Sequence, residues 1–94
     1  LYSGAGVLIF DPRRSAFLLV DDYTKTFNCA GGFTKYDSHI DGYLERTASE
    51  ELAEETRQLI RCSPVELRRC PFVDVPLNSR LNFCAFRCYL FRYE

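Results

Sequence analysis

One segment of the chain, about Gly42 to Arg57, carries apolar residues at helical spacing and four glutamates within six positions. Leu44, Ala48 and Leu52 recur at intervals near 3.6, with Leu59 continuing the series, which predicts an amphipathic helix with one face in a core. On the helical wheel Glu55 falls between Leu44 and Ala48, inside the apolar arc, and Glu51 sits at its edge. Glu54 flanks them, whereas Arg46, Glu50 and Arg57 lie on the opposite side. Like charges at i and i+4, such as Glu50/Glu54 and Glu51/Glu55, repel by roughly 0.2–0.5 kcal/mol per pair on an exposed helix. Arg46 can offset part of that by pairing with Glu50, and Arg57 by pairing with Glu54. A solvated charged face would account for the glutamates on the wet side. It does not account for a carboxylate on the core-facing arc, which is costly unless something pairs with it. Clustered carboxylate oxygens suit hard divalent cations such as Mg²⁺.

The rest of the chain reads as strands. Gly4–Phe10 is an apolar run ended by the turn cluster Asp11–Ser15, and Ala16–Val20 resumes the pattern, so Gly4–Val20 reads as a hairpin. "FNCAGG" predicts a short strand entering a turn at Gly31–Gly32, where paired glycines allow a close backbone approach to a ligand or metal. Thr34–Asp41 is a polar loop. Beyond the helix, "VELRRCPFVDV" and "LNFCAFRCYLFRYE" read as two strands joined at Pro76–Asn78–Ser79, with Pro64 and Pro76 at strand borders. The order β-β-β-α-β-β implies one α+β domain over residues 1–94, a mixed sheet with a helix on it.

Composition bounds the function. Apolar residues make up 47% of the chain, which fits a globular domain, and a net charge of −1 gives no general attraction to extended nucleic acid or an acidic membrane. No apolar run approaches the roughly 20 residues needed to span a bilayer. Five cysteines, an odd number with no CxxC pair, fit reduced thiols in an intracellular, cytoplasmic protein better than a disulfide framework or a zinc site. Cys84 and Cys88 lie four apart in an apparent strand and so face the same side of the sheet.

At the glycines and the acidic helix the sequence resembles the Nudix hydrolase family, whose box reads G-x5-E-x7-R-E-U-x-E-E-x-G-U, with U a bulky apolar residue. "ASEELAEETR" overlays the common form A-x-R-E-L-x-E-E-T-G, matching at Ala48, Glu51, Leu52, Glu54, Glu55 and Thr56. "GAGVLIFDPRRSAFLLV" resembles the family's opening hairpin, and "FNCAGGF" its W-x-x-P-G-G approach to the box. The chain departs from the pattern at several places. Glu50 stands at the box arginine, Arg57 at the closing glycine and Ala30 at the usual proline. The early box glutamate falls on Gly42, with about four extra residues after Gly32. An ungapped register would restore an arginine at Arg46, but it places Thr47 on the key glutamate and Ser38 on the first one.

The resemblance implies a Nudix fold (α/β/α sandwich-like, with a mixed sheet and the box helix), apparently shortened at its C-terminus. It implies a pyrophosphohydrolase that cleaves a nucleoside diphosphate-linked small molecule with Mg²⁺ or Mn²⁺. Glu51, Glu54 and Glu55 would hold the metal, helped by the carbonyl of Gly31 or Gly32, and Glu51 or Asp74 would serve as base. Arg46 would restore part of the missing arginine's role at the substrate. Tyr23, Phe33 and Tyr36 are candidates to stack on a base, while His39, the lone histidine, reads as a solvated loop residue. The lost arginine and glycine also fit a catalytically impaired Nudix-fold module that binds a nucleotide or a partner, and an unrelated α+β domain with an acidic helix stands as a third reading. Family members carry a further strand and a closing helix, so a second copy (a homodimer) or a neighbouring domain of a longer chain would cover the surface left open here.

Overall fold

The computed structural model describes residues 2–21, 27–78 and 83–93. Strand β1 (Tyr2–Asp11) is the axis of a five-stranded mixed sheet. On one side β1 runs parallel to β7 (Phe83–Arg92), which pairs antiparallel with the edge strand β6 (Phe72–Asn78). On its other side β1 pairs antiparallel with two shorter strands. These are β2 (Ala16–Leu18) along Ile9–Asp11 and β5 (Ala30–Phe33) along Gly4–Val7. The predicted hairpin is thus β1–β2, with β3 (Val20–Asp21) leaving it to pair with β4 (Phe27–Asn28) in a separate ribbon.

Alternation gives the sheet two unlike faces. Ala5, Val7 and Ile9 of β1, Ala30 of β5 and Tyr89 of β7 point to one face and are buried there. Helix α1 (Tyr43–Glu55) lays Leu44, Ala48 and Leu52 on them, as the periodicity predicts. Fully burying a leucine such as Leu52 is worth roughly 1.5–3 kcal/mol. A second helix, α2 (Pro64–Arg68), adds Leu67 to the same core. Both helices therefore lie on one face, and the described residues form two layers rather than the three of an α/β/α sandwich.

The opposite face is apolar and open. Its register aligns Phe86 with Val75 and Gly4, and Cys88 with Val73 and Gly6. Val73, Val75 and Leu77 are each more than 40% exposed. Cys84 and Cys88 share this face, as their spacing requires, and all five cysteines are free thiols.

Four expectations are corrected. Val65–Arg68 is helix, not strand: Ser63 caps it by accepting from the Glu66 N–H (3.1 Å), and the Glu66 carboxylate accepts from the Ser63 N–H (3.2 Å). Pro64 accordingly occupies the first helical turn, where a missing N–H costs nothing. Pro76 lies within β6, tolerated because that strand is at the edge. Leu59 is 84% exposed beyond the helix end. There α1 closes in a Schellman motif, Gln58 N–H to Ala53 O (2.6 Å) and Arg57 N–H to Glu54 O (3.1 Å). That closure holds Arg57 in the left-handed region at φ 54°.

Candidate functional site

The first turn of the site is not a turn. Gly31 and Gly32 continue β5, and the one glycine with positive φ among the described residues is Gly42, ahead of α1. The pair is needed for close approach instead. A Cβ on Gly31 would lie 2.7 Å from the Phe86 ring, 2.8 Å from Gly6 Cα and 2.9 Å from Ala5 O. A Cβ on Gly32, on the helix side, would lie 2.4 Å from Glu51 Oε1. Bare backbone at 31 and 32 lets an aromatic ring pack on one face and a carboxylate on the other.

Helix α1 presents its glutamates to this strand. The Gly31 N–H, on the outer edge of β5, donates to Glu55 Oε1 at 3.3 Å. Strand alternation puts the Gly31 carbonyl on that same outer edge, while the Gly32 carbonyl is directed at Gly4 of β1. Gly31, not Gly32, is therefore the carbonyl open to a ligand. Glu55 is exposed on α1 with its carboxyl against the edge of β5, and its pKa is raised: partial loss of hydration is the main cause, the Gly31 N–H opposes it, and the neighbouring Glu51 charge adds to it. Glu51, with only 15% of its side chain exposed, stands between Gly32 and the next partner, the ammonium of Lys35.

Lys35 is the residue sequence reasoning missed. Its Nζ lies 2.7 Å from Glu54, 3.5 Å from Glu51 and 3.9 Å from Glu50. Its pKa is raised, first by the Glu54 bond. The backbone is anchored as well, since Lys35 N–H donates to Thr47 Oγ1 (3.3 Å), which in turn donates to Tyr43 O (2.9 Å). A signal was present: Lys35 is the sole lysine or arginine between Gly32 and Arg46.

The remaining candidates divide. Arg46 stacks on the Tyr36 ring at 4.4 Å, and the Tyr36 hydroxyl, rather than Arg46, bonds Glu50. Tyr36 is thus occupied on both its face and its hydroxyl. Phe33 is 84% exposed at the end of β5, and His39 is exposed in the loop. Tyr23 lies outside the described residues. Asp74 is on β6, three strands from β5 and so about 14 Å from Gly32 at ordinary strand spacing. It accepts from Arg87 Nε (2.9 Å) and the Tyr2 hydroxyl (2.6 Å), and the Arg87 guanidinium holds its pKa down. A carboxylate so paired and so placed is a structural partner of Arg87, not a base for the glutamate cluster.

A cavity of about 400 Å³ opens on the other side of β5, lined by Asn28, Cys29, Gly31, Glu55, Val75 and Phe86 among others. Gly31 and Glu55 belong to both the carboxylate cluster and this cavity. Among the described residues no three carboxylate, thiol or imidazole groups are placed to hold a metal ion together. The donor chemistry nonetheless suits a hard cation: oxygen donors only, in excess negative charge, with an ammonium already collected among them. Neither the protein-family models nor the curated proteins compared with the chain match it. No described helix is long and apolar enough to cross a membrane.

Proposed function

We propose that the domain is a metal-dependent pyrophosphohydrolase of the Nudix type acting on a nucleoside diphosphate-linked small molecule. The observation that carries this reading is the shared edge of β5. Glu55 and the Gly31 backbone form one wall of an acidic cluster and one wall of an apolar cavity. A diphosphate at the cluster would put its attached organic group into the cavity, above Phe86. Two further details favour the family register. Arg57 adopts the left-handed conformation at the position of the box's closing glycine. Thr47, the key residue of the ungapped alternative, is fully buried and hydrogen-bonded, so it offers no ligand.

Glu51, Glu54, Glu55 and the Gly31 carbonyl are the groups that would hold Mg²⁺ or Mn²⁺. When bound, the ion would neutralise the diphosphate and make a water more acidic. The chain's own tasks are then positional. Gly31 N–H fixes the Glu55 carboxyl and bare Gly32 lets Glu51 approach the strand; the Glu51 oxygen not on the ion would take the proton of a water attacking phosphorus, as the bridging P–O bond breaks and a monophosphate leaves. The apolar lining of the cavity would pack against the organic group.

A nucleotide-binding module without turnover is the second reading, favoured by the diversion of Glu54 to Lys35. One experiment separates the two. The protein is incubated with Mg²⁺ or Mn²⁺ and ADP-ribose, nucleoside triphosphates or dinucleoside polyphosphates, and released monophosphate is measured. Turnover abolished by Glu55→Gln or Glu54→Gln is expected. Ligand-induced thermal stabilisation without product would establish the binding module instead, and no effect of metal or nucleotide would refute both.

A further inference from the structure

Two of the five free thiols, Cys29 and Cys88, meet in the wall of the apolar cavity, and neither takes part in the acidic cluster. We propose that they form a peroxide-sensitive pair, in which Cys88 is the sulfur oxidised first and Cys29 the one that resolves it to an intramolecular disulfide. The inference needs no ligand at the glutamates.

Three observations carry it. First, the fold brings the two side chains together. Cys88 of β7 is aligned with Gly6 of β1, and Gly6 with Gly31 of β5. Alternation back from Gly31 puts Cys29 on that same face, and Gly6 carries no side chain to stand between them. Both cysteines are half-buried, both line the cavity of about 400 Å³, and their thiols are hydrogen-bonded to each other. Second, the pair is unequal. Cys88 accepts from the Cys29 thiol and from the Leu8 backbone, which together lower its pKa against its own burial, whereas Cys29 holds its proton more tightly because that proton bridges to Cys88. The thiolate is the form that attacks peroxide, so Cys88 reacts first. Third, the other three thiols lack these features. Cys62 is buried, and burial pushes its pKa to about 12. Cys70 and Cys84 donate to the carbonyls of Glu66 (3.4 Å) and Leu77 (3.8 Å).

The Cys88 thiolate attacks one oxygen of hydrogen peroxide, the O–O bond breaks, and hydroxide leaves to take up a proton as water. A sulfenic acid remains on Cys88. The Cys29 sulfur then attacks that sulfur: the S–S bond forms, the S–O bond breaks, and water leaves with the Cys29 proton. Two electrons pass from the thiols to the peroxide, and a dithiol reductant returns them. A disulfide needs its two Cα atoms within about 7 Å. Cys88 is held inside β7, but Cys29 belongs to neither β4 nor β5, so its backbone makes the adjustment. The bond ties the segment entering β5, two residues ahead of Gly31, to β7.

Reduced protein is treated with hydrogen peroxide at neutral pH, remaining thiols are alkylated, and unreduced peptides are mapped by mass spectrometry. Wild type, Cys29→Ser, Cys88→Ser and Cys84→Ser are compared. The expected wild-type product is a monomer two hydrogens lighter, with Cys29 joined to Cys88 as the main linked pair, reversed by dithiothreitol and unchanged in Cys84→Ser. In Cys29→Ser, dimedone should trap the Cys88 sulfenic acid at least tenfold more than it labels Cys29 in Cys88→Ser. The wild-type map alone decides the pairing, whether or not each variant folds. The proposal is overturned if Cys29 and Cys88 stay reduced at a peroxide concentration that oxidises free cysteine, if another pair or a linked dimer dominates, or if dimedone labels the two sulfurs equally.

Discussion

Substituting alanine at the two adjacent glycines should separate the fold from the site. At Gly31 the new methyl would meet the Phe86 ring at 2.7 Å and, behind it, Gly6 Cα at 2.8 Å and Ala5 O at 2.9 Å. Two of those three atoms are backbone of the central strand, so relief requires prying β5 from β1. Overpacking of this kind costs about 1–3 kcal/mol, with the upper half expected where backbone must yield. At Gly32 the atoms met are Glu51 Oε1 at 2.4 Å and Cδ at 2.6 Å, the free end of a side chain that can swing out. Alanine there relieves the strand of a glycine, a gain of about 0.5–1 kcal/mol against the small cost of moving Glu51. With about 4–8 °C per kcal/mol for a domain of this size, Gly31→Ala should lower the melting temperature by roughly 8–24 °C. Gly32→Ala should leave it unchanged or slightly raised. Its effect should appear in Mn²⁺ binding, because Glu51 no longer rests on the strand. Thermal melts and Mn²⁺ titrations of both variants test this. Equal destabilisation by the two alanines, or Gly32→Ala with undiminished Mn²⁺ binding, would refute the geometry.

Three further outcomes follow from single residues. Arg57→Gly should raise stability by about 1 kcal/mol, read as a shift in the urea midpoint, because φ 54° at the helix terminus strains any residue with a Cβ. Ser63→Ala removes the capping oxygen of α2 and should cost about 1 kcal/mol, with Ser63→Gly costing less. Asp74→Asn should lower stability at neutral pH but not in acid: the Arg87 partner depresses the folded-state pKa, so the contribution is present above about pH 4 and lost as pH falls through the folded value. A wild-type advantage over Asp74→Asn that is the same at pH 7 and pH 2.5 would contradict that.

The parts of this molecule legible in the sequence are those set by local periodicity. Leu44, Ala48 and Leu52 place α1 to within two residues, and the hairpin follows from the turn cluster between two apolar runs. The wheel position of Glu51 and Glu55 also foretells that both carboxylates reach the sheet, as their approach to Gly32 and Gly31 shows. What was missed depends on information that periodicity does not carry. Helix α2 is too short for a periodic signal, and its marker is the local Ser63–Pro64–Glu66 capping box, which apolar alternation does not report. The glycine pair looked like a turn because conformational freedom is the usual reason for glycine. Here the reason is the Phe86 ring, 55 residues further along the chain. Lys35 was passed over because loop residues have no wheel to place them, and Thr47, which fixes it, was read only as an alternative to a glutamate.

The account stands or falls on whether Glu51, Glu54 and Glu55 act as one divalent-cation site against Gly31. Mn²⁺ titration followed by electron paramagnetic resonance, on wild type and on the three single Glu→Gln variants, measures that directly. Stoichiometric binding by the wild-type protein is expected, weakened at least tenfold by each substitution, since every lost carboxylate removes both a ligand and a charge. Binding that is nonspecific in the wild type, or indifferent to all three substitutions, would contradict it.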